Sequence, residues 1–431
     1  MSDPPPLPSP TLRALQRDLR KRKRAALKPF WQRVTRSGTP LIEPLKGDRH
    51  RSTLTFLWKH RRGTERVAVR SLAFGLFGPN TELSRIPKSD VWYRSYIVPN
   101  DFRDAYKIAV NDSLEDFSSW EEWGIREKTW LLDPRNAHRI EMEPDRAFPK
   151  DPLNNNAYSR SLVDLPRAPR HRELNPRRDV PQGTLQRYRF RSQILGDSRR
   201  IWVYRPAGFR ADDRRLRVAV VFDGSWYTSR LIPTPTILDN LAAEGKIPPV
   251  LGVFVDARRL CTDRLRDMVY RPEPFGQFLV QELLPWVEKT VGVHCHPDRT
   301  ALVGLSGGGL CALRFALQYP EHFRLVLSQS GSFWAEDPVR HEPGSVIGAI
   351  LARPRPLPLR IYMEAGTFEN RAGDGEVSLL GANRHVRDVL RLKGYAVTYR
   401  EFHGGHEFQC WRQSLVDVLP SLMGPRAAWL P

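Results

Sequence analysis

The sequence lacks the features that would point to a membrane span, a secretory route or a metal centre. No apolar run reaches about 18 residues, and the N-terminus has no apolar core of a signal peptide. No H-E-x-x-H motif occurs, and no glycine-rich loop carries the lysine of a phosphate-binding loop. We therefore expect a cytoplasmic protein without a membrane span, a metal or a cofactor.

Cysteine is also scarce. The four residues, Cys261, Cys295, Cys311 and Cys410, are scattered and show no C-x-x-C spacing. This pattern excludes a disulfide framework and predicts free thiols.

Acidic residues are outnumbered, since 68 Lys and Arg face 48 Asp and Glu, giving a formal net charge of +20. Such an excess favours an anionic partner, which could be nucleic acid, a membrane surface or a small molecule. Arginines spread over a solvated surface would explain the same number without any partner. No recognition helix, zinc site or aromatic stacking motif supports the nucleic-acid reading.

The chain divides into four regions by its texture. Residues 1–28 carry a proline cluster and a basic helical pattern, and we predict a flexible, solvated extension. Residues 29–144 consist of short apolar segments separated by turns, which predicts an antiparallel β-sandwich. Residues 145–182 are rich in Pro, Arg and Asn, as in a linker. Residues 183–431 alternate strands with helices, which predicts a mostly parallel sheet covered by helices on both faces.

One serine stands out in the last region. Ser306 lies in Gly-Leu-Ser-Gly-Gly, after a short apolar run and before apolar residues at helical spacing. A serine between strand and helix, flanked by glycines, is typical of a nucleophile elbow, whose sharp turn exposes the hydroxyl. We predict that Ser306 is a catalytic nucleophile.

A serine nucleophile needs a histidine base, which in this fold order follows the acid. His406, in His-Gly-Gly-His-Glu-Phe after the last predicted strand, is the preferred candidate, and His403 is the alternative. For the acid, Glu369 comes directly after a strand that ends at Gly366. Glu364 lies within that strand, while Asp374 and Glu376 follow in a glycine-rich loop and could substitute.

Acyl transfer also needs donors for the developing oxyanion. The amide of Gly307, directly after the nucleophile, supplies one donor. The second is expected at the end of the strand that runs into Asp223, from the amide of Gly224 or Ser225.

These residues carry a resemblance to the enterochelin (enterobactin) esterases, which hydrolyse the ester bonds of catecholate siderophores. FWQRVTRSGTPLIEP, DPLN, SLVDLPRAP, VFDGSWY, LVGLSGGGLCALRFALQYPEHFRLVLSQSGSFW, YMEAGTFE and GGHEFQCWR are similar to segments of that family. The resemblance implies an immunoglobulin-like N-terminal β-sandwich and an α/β-hydrolase catalytic domain. It also assigns Glu369 and His406 the roles of acid and base.

The resemblance further implies a substrate site. Arg264 and Asp267 match an arginine and an acid that hold the substrate, and Trp226 and Trp334 fall in matching segments. Arg258, Arg259 and Arg266 are additional candidates near an anionic ferric catecholate. The sequence departs from the family at Asp267-Met268, at Glu407-Phe408 and in the segment RAGDGEVS.

The expected function is therefore a cytoplasmic serine esterase that opens the ester backbone of a ferric catecholate siderophore and releases iron, with iron present only in the substrate. Two alternatives remain. One is an esterase for another acyl or aryl ester, such as a feruloyl ester, and the other is a binding protein without activity. The oligomeric state stays open.

Overall fold

A computed structural model describes residues 9–144, 146, 158–257, 263–336, 344–370 and 378–424. The chain forms two compact units. The first contains residues 1–143, 156–169 and 403–409, and the second contains residues 144–155, 170–402 and 410–431. No helix among the described residues is long and apolar enough to cross a membrane.

Among its described residues, the first unit combines three α-helices with two antiparallel sheets of four strands. The sheets have the orders β1-β2-β5-β4 and β3-β6-β8-β7. The elements are α1 Pro10–Arg22, α2 Leu27–Ser37, β1 Leu41–Leu45, β2 Asp48–Lys59, β3 Val67–Arg70, β4 Ser84–Arg85, β5 Val91–Pro99, β6 Arg103–Val110, α3 Trp120–Thr129, β7 Arg139–Met142 and β8 Tyr158–Asp164.

The two sheets share aromatic packing. Phe56 on β2 contacts Tyr106 on β6 edge to face, with ring centroids 4.7 Å apart, and both side chains are fully buried. Edge-to-face pairs of this kind contribute beyond the apolar area that they bury. The predicted β-sandwich is confirmed.

The prediction of a flexible extension over residues 1–28 is wrong for its described part. Ser9 caps α1 by accepting a hydrogen bond from the Leu12 amide, and Leu12 and Leu15 are fully buried. They join a core cluster with Phe30 and Trp31 on α2. The basic residues of α1 fall mostly on its solvent side, so its narrow apolar stripe is sufficient to hold the helix in place.

The linker prediction is also wrong in part. Within residues 145–182, Tyr158–Asp164 forms β8, which pairs with both β6 and β7 and so completes a sheet of the first unit. The breaker-rich sequence around it hides the strand, because an antiparallel partner and not local propensity decides whether such a segment becomes ordered.

The second unit is an α/β domain. Its elements are β9 Thr184–Ser192, β10 Asp197–Arg205, β11 Arg217–Phe222, α4 Gly224–Tyr227, α5 Thr234–Ala243, β12 Val250–Val255, α6 Pro272–Phe278, α7 Leu284–Val291, β13 Thr300–Leu305, α8 Gly307–Gln318, β14 Leu325–Gln329, α9 Gly344–Leu351, β15 Arg360–Gly366, α10 Leu379–Leu392, β16 Ala396–Phe402 and α11 Phe408–Met423. The first residues of α11 group with the first unit.

An eight-stranded sheet organises this unit, in the order β16-β15-β14-β13-β11-β12-β10-β9. All pairs from β12 to β16 are parallel, and β10 runs antiparallel to both neighbours. Apart from Arg217 at the start of β11, the residues of β11, β12 and β13 are all buried, as in a sheet covered on both faces. The predicted α/β-hydrolase architecture is confirmed, and the carboxyl ends of β11, β13, β14 and β15 meet at one edge.

Candidate active site

Ser306 lies between β13 and α8, where a nucleophile elbow was predicted. Its backbone has φ 54° and ψ −122°, outside the regions that L-residues normally occupy. Such strain persists where the surrounding structure enforces it, which is common at reactive positions. The predicted strand, turn and helix are confirmed.

Close packing of strand against helix explains the glycine at position 304 of the elbow. A Cβ atom on Gly304 would lie 2.4 Å from the carbonyl group of Gly308, a distance that no side chain tolerates. The turn is further fixed because the Ser306 amide donates to the carbonyl of Gln329, at 2.9 Å. The hydroxyl of Ser306 lies 3.0 Å from that of Ser332, whose amide donates to the Ser306 carbonyl.

Glu369 follows β15 as predicted and is 2% exposed. Its Oε1 accepts a hydrogen bond of 2.7 Å from the hydroxyl of Ser330, which in turn accepts from the indole of Trp411 at 2.9 Å. Ser330 has a positive φ of 49° directly after β14. Ser306, Ser330 and Glu369 thus follow three adjacent parallel strands, so the structure places the predicted nucleophile and acid along one sheet edge. The alternatives Asp374 and Glu376 lie outside the described residues.

The two candidate histidines belong to residues 403–409, which group with the first unit. His403 is 2.6 Å from the carboxylate of Asp101 through its Nδ1 atom. Half-buried His406 lies between the end of β16 and the start of α11, directly after Gly405, where a Cβ atom would approach the Ala73 amide to 2.6 Å. The roles of His406 as base and Glu369 as acid stay predictions.

The loop after β11 was predicted to hold the second oxyanion donor. Asp223 is fully buried and has left-handed backbone angles of φ 56° and ψ 47°. Gly224 follows, and a Cβ atom there would lie 2.9 Å from the Phe254 carbonyl carbon. The amide and hydroxyl of Ser225 both face Asp256, at 3.4 and 2.9 Å. Because the Ser225 amide is directed to a carboxylate, Gly224 is the better candidate for the second donor, with Gly307 as the first.

Arg264, predicted to contact the substrate, forms a buried ion pair within the protein. Its Nε and Nη2 atoms lie 2.6 and 2.8 Å from the two carboxylate oxygens of Asp223. The guanidinium covers the ring of Trp226, 5.1 Å from its centroid, and also donates to the Leu305 carbonyl at 3.4 Å. Burial disfavours the charge, but Asp223 more than compensates and raises the pKa of Arg264. The pair therefore joins the loop after β11 to the residue that precedes Ser306.

Asp267 likewise has cationic partners within the protein. It is 3% exposed, 2.6 Å from Nη2 of fully buried Arg199 and 2.8 Å from Nε of Arg266. In this geometry, Asp267 neutralises buried Arg199 and so stabilises the fold. Its role in substrate binding, like that of Arg264, stays a prediction.

The remaining predicted substrate residues are tested less directly. Trp334 lies half-buried in a short helical turn, Phe333–Glu336, after β14. Arg258 and Arg259 lie outside the described residues. Within the part of the chain that the structure describes, no group of three or more His, Cys, Asp or Glu side chains could hold a metal ion. That the protein needs no cofactor stays a prediction.

A polar network inside the domain links the site elements. Gln329, at the end of β14, accepts from the Tyr227 hydroxyl at 2.8 Å and donates to Oε1 of Glu364 at 2.8 Å. Ser414 on α11 donates to the same carboxylate oxygen, at 2.5 Å. Burial raises the pKa of Glu364 to about 7, from 4.5. Glu364 is thus an internal carboxyl group that supports the site and not the predicted acid.

We expect Glu364→Gln to change how stability depends on pH. Above pH 7 the native state must hold a buried carboxylate, whereas the unfolded chain ionises the group freely in water. As pH falls from 7 towards 4.5, only the native state takes up the proton, so the free energy of unfolding rises by up to about 3 kcal/mol from this group. Urea unfolding at pH 8 and pH 5 should show the variant relatively more stable at pH 8. An unfolding difference between variant and wild type that is the same at both pH values would contradict this assignment.

Several residues of the site were not singled out from the sequence. Asp223 neutralises Arg264, while Ser330 and Trp411 hold Glu369. Ser330 and Ser332 lie in Ser-Gln-Ser-Gly-Ser after β14, and this cluster of small polar residues at a strand end was the available signal. The pairing of Asp223 with Arg264 had none, because 41 residues separate them.

Comparison with known proteins agrees with this geometry. Residues 192–422 match the family described as "Putative esterase", and residues 53–174 match the family described as "Enterochelin esterase, N-terminal". The iron(III) enterobactin esterase of Dickeya dadantii is 28% identical over 429 residues, covering 90% of this chain and 91% of that protein. The iron(III) enterobactin esterase of Escherichia coli K12 is also 28% identical, over 86% of this chain and 91% of that protein.

Solved structures give the same result. The enterobactin esterase of Shigella flexneri, crystallised in the presence of enterobactin, is 26% identical and has a TM-score of 0.69, covering 91% of this chain and 97% of that one. The ferric enterobactin esterase of Salmonella typhimurium, 24% identical with a TM-score of 0.72 over 91% and 98% of the chains, supports the fold. The elbow at Ser306 and the family match over most of the α/β domain together show that the chain belongs to the esterase family and carries an enterochelin esterase N-terminal domain.

Proposed function

We propose that this protein is a serine esterase that hydrolyses the ester backbone of ferric catecholate siderophores and thereby releases their iron. The observation that carries the proposal is the strained elbow at Ser306, at the same sheet edge as a buried Glu369, in a chain that matches enterobactin esterases over most of its length. Iron enters this reaction as part of the substrate.

In the proposed mechanism, each group of the site has a defined role. Ser306 Oγ attacks the ester carbonyl carbon while His406 accepts its proton, and Glu369 orients the imidazole and stabilises its positive charge. The amides of Gly307 and Gly224 stabilise the oxyanion. The alkoxide leaves with the proton from His406, and water then cleaves the acyl-serine, so each cycle converts one ester and one water into an acid and an alcohol.

A cytoplasmic location forms part of the proposal. The three described cysteines, Cys295, Cys311 and Cys410, are buried free thiols, which suits a reducing compartment. Release of iron from an imported complex also belongs inside the cell.

The net charge of +20 leads to a test of substrate charge. A ferric catecholate complex is multiply anionic, so the field of the protein should raise its rate of encounter, and salt should screen that effect over a Debye length of about 8 Å at 0.15 M. We expect kcat/KM for the ferric trilactone to fall as ionic strength rises, while kcat/KM for a neutral aryl ester stays nearly constant. Equal salt slopes for both esters would exclude an anionic substrate preference.

A feruloyl-type esterase remains the second candidate because it would use the same triad. It would show the opposite ranking, with hydrolysis of a neutral feruloyl ester exceeding that of the ferric trilactone. A non-catalytic binding protein would hydrolyse neither.

A further inference from the structure

The second unit contains a cavity of about 590 Å³ that the esterase reaction does not use. We call it the arginine cavity, because six of its lining residues are Arg214, Arg215, Arg217, Arg299, Arg324 and Arg360. Asp298 is the acidic residue among those that line it. The positive charges of the six arginines outweigh the negative charge of Asp298, so the lining is strongly positive.

The position of the arginine cavity follows from the sheet. Arg217 and Arg360 are the first residues of β11 and β15, and Arg299 and Arg324 directly precede β13 and β14. These four strands are neighbours in the sheet, so their starts are about 4.8 Å apart from one strand to the next. The arginines therefore form a row across the amino ends of the strands.

This row lies away from the catalytic edge. Ser306 follows the carboxyl end of β13, whereas Arg299 precedes its amino end. A strand of six residues is about 20 Å long. A ligand in the arginine cavity would thus be separated from the reacting serine by the length of the sheet.

Backbone carbonyl groups hold several of these guanidinium groups in place. Arg299 donates to the Arg214 carbonyl at 2.7 Å, and Arg217 donates to the Asp298 carbonyl at 3.1 Å. The carbonyl oxygen that Arg299 contacts orients its guanidinium group but does not neutralise the charge. Two guanidinium groups of the lining pair with carboxylates: Arg324 lies 2.9 Å from Asp298, and Arg215 lies 2.9 Å from Asp213.

Like charges in one cavity repel one another, and a bound anion would relieve that repulsion. The planar guanidinium group forms paired hydrogen bonds with phosphate, which makes arginine the usual residue for recognising it. Apart from His296, the described lining contains no ring that could stack on a catechol; its apolar members are prolines and Leu325. A compact, multiply charged oxyanion fits this lining better than an aromatic siderophore does.

We propose that the arginine cavity binds a small anion with two or more phosphoryl groups, at the amino ends of β11, β13, β14 and β15 and independently of the esterase site. The proposal goes beyond the esterase function and does not require it.

Calorimetry and thermal unfolding of the full-length protein with tripolyphosphate test the proposal, with ionic strength held constant by sodium chloride. We expect saturable binding of one anion per chain and a Tm that rises with anion concentration. In Arg299→Gln/Arg324→Gln, the affinity should fall at least about tenfold, since charge-assisted hydrogen bonds are lost. The control, Arg210→Gln, removes an exposed arginine that pairs with Asp212 outside the cavity and should bind as wild type does.

A second variant and a second readout cover the case in which the double variant does not fold. Arg214→Gln alters an exposed side chain of the lining and should also weaken binding. Without anion, relief of repulsion should keep the Tm of Arg214→Gln at or above that of wild type, whereas a fall in its Tm would contradict the proposed repulsion. Absence of saturable binding, equal weakening in Arg210→Gln, or binding of an oligonucleotide but not of tripolyphosphate would overturn the proposal.

Discussion

Ser306→Ala should lower kcat for ester hydrolysis by about 10³-fold or more while the protein stays folded, because members of a catalytic triad act as a unit. The elbow geometry makes this expectation specific to one hydroxyl group. Ser332→Ala is the matched control, since its hydroxyl lies only 3.0 Å away, and we expect it to cost less than about tenfold. Steady-state kinetics together with circular dichroism measure both effects.

The same assay ranks the other triad members. His406→Ala should match Ser306→Ala, whereas His403→Ala should not, because His403 is hydrogen-bonded to Asp101. Glu369→Gln should be damaging but less severe, since the acid only orients and stabilises the imidazolium. Near-normal turnover in Ser306→Ala would refute the mechanism, and a larger loss in His403→Ala than in His406→Ala would reassign the base.

Arg264→Ala should destabilise the protein by about 3–5 kcal/mol, because it leaves the fully buried carboxylate of Asp223 without its ion-pair partner. The loss should appear in urea unfolding. Asp223→Asn, which tolerates the left-handed backbone, should have a comparable effect. The double variant Arg264→Ala/Asp223→Asn should lose less than the sum of the single variants, since it removes both charges.

Kinetics of Arg264→Ala separate the two roles considered for this residue. A substrate contact predicts a KM that rises far more for an anionic siderophore than for a neutral ester. The observed ion pair joins the loop after β11 to Leu305. If the residue only supports the site in this way, its loss should lower kcat to a similar extent for both esters. A rise in KM that is specific to the siderophore, with unchanged stability, would show that Arg264 binds the substrate.

Much of the α/β domain could be predicted from the sequence because its strands and helices carry strong local patterns. The apolar runs at β11 and β13 and the helical spacing in α8 each agree with the fold that they enter. The elbow was predictable for the same reason, since local contact between strand and helix leaves no room for a Cβ atom on Gly304.

What the sequence did not reveal depends on distant partners. α1 has a thin apolar stripe, and only its packing on Phe30 and Trp31 shows why Leu12 and Leu15 become buried. β8 is ordered by pairing with β6 and β7, and a single-sequence pattern contains no record of that pairing. The sequence does not show that Arg264 has an ion-pair partner, because Asp223 is brought to it only by the fold.

The central claim is that Ser306 drives hydrolysis of a ferric catecholate ester. The most direct measurement is chromatography and mass spectrometry of the products formed when wild type and Ser306→Ala are incubated with a ferric catecholate trilactone, its iron-free form and a neutral aryl ester. We predict that wild type converts the ferric trilactone to ring-opened products heavier by one water per bond cut, and that Ser306→Ala leaves it intact. An unchanged ferric trilactone after incubation with folded wild-type protein, or equal product formation by Ser306→Ala, would contradict the account.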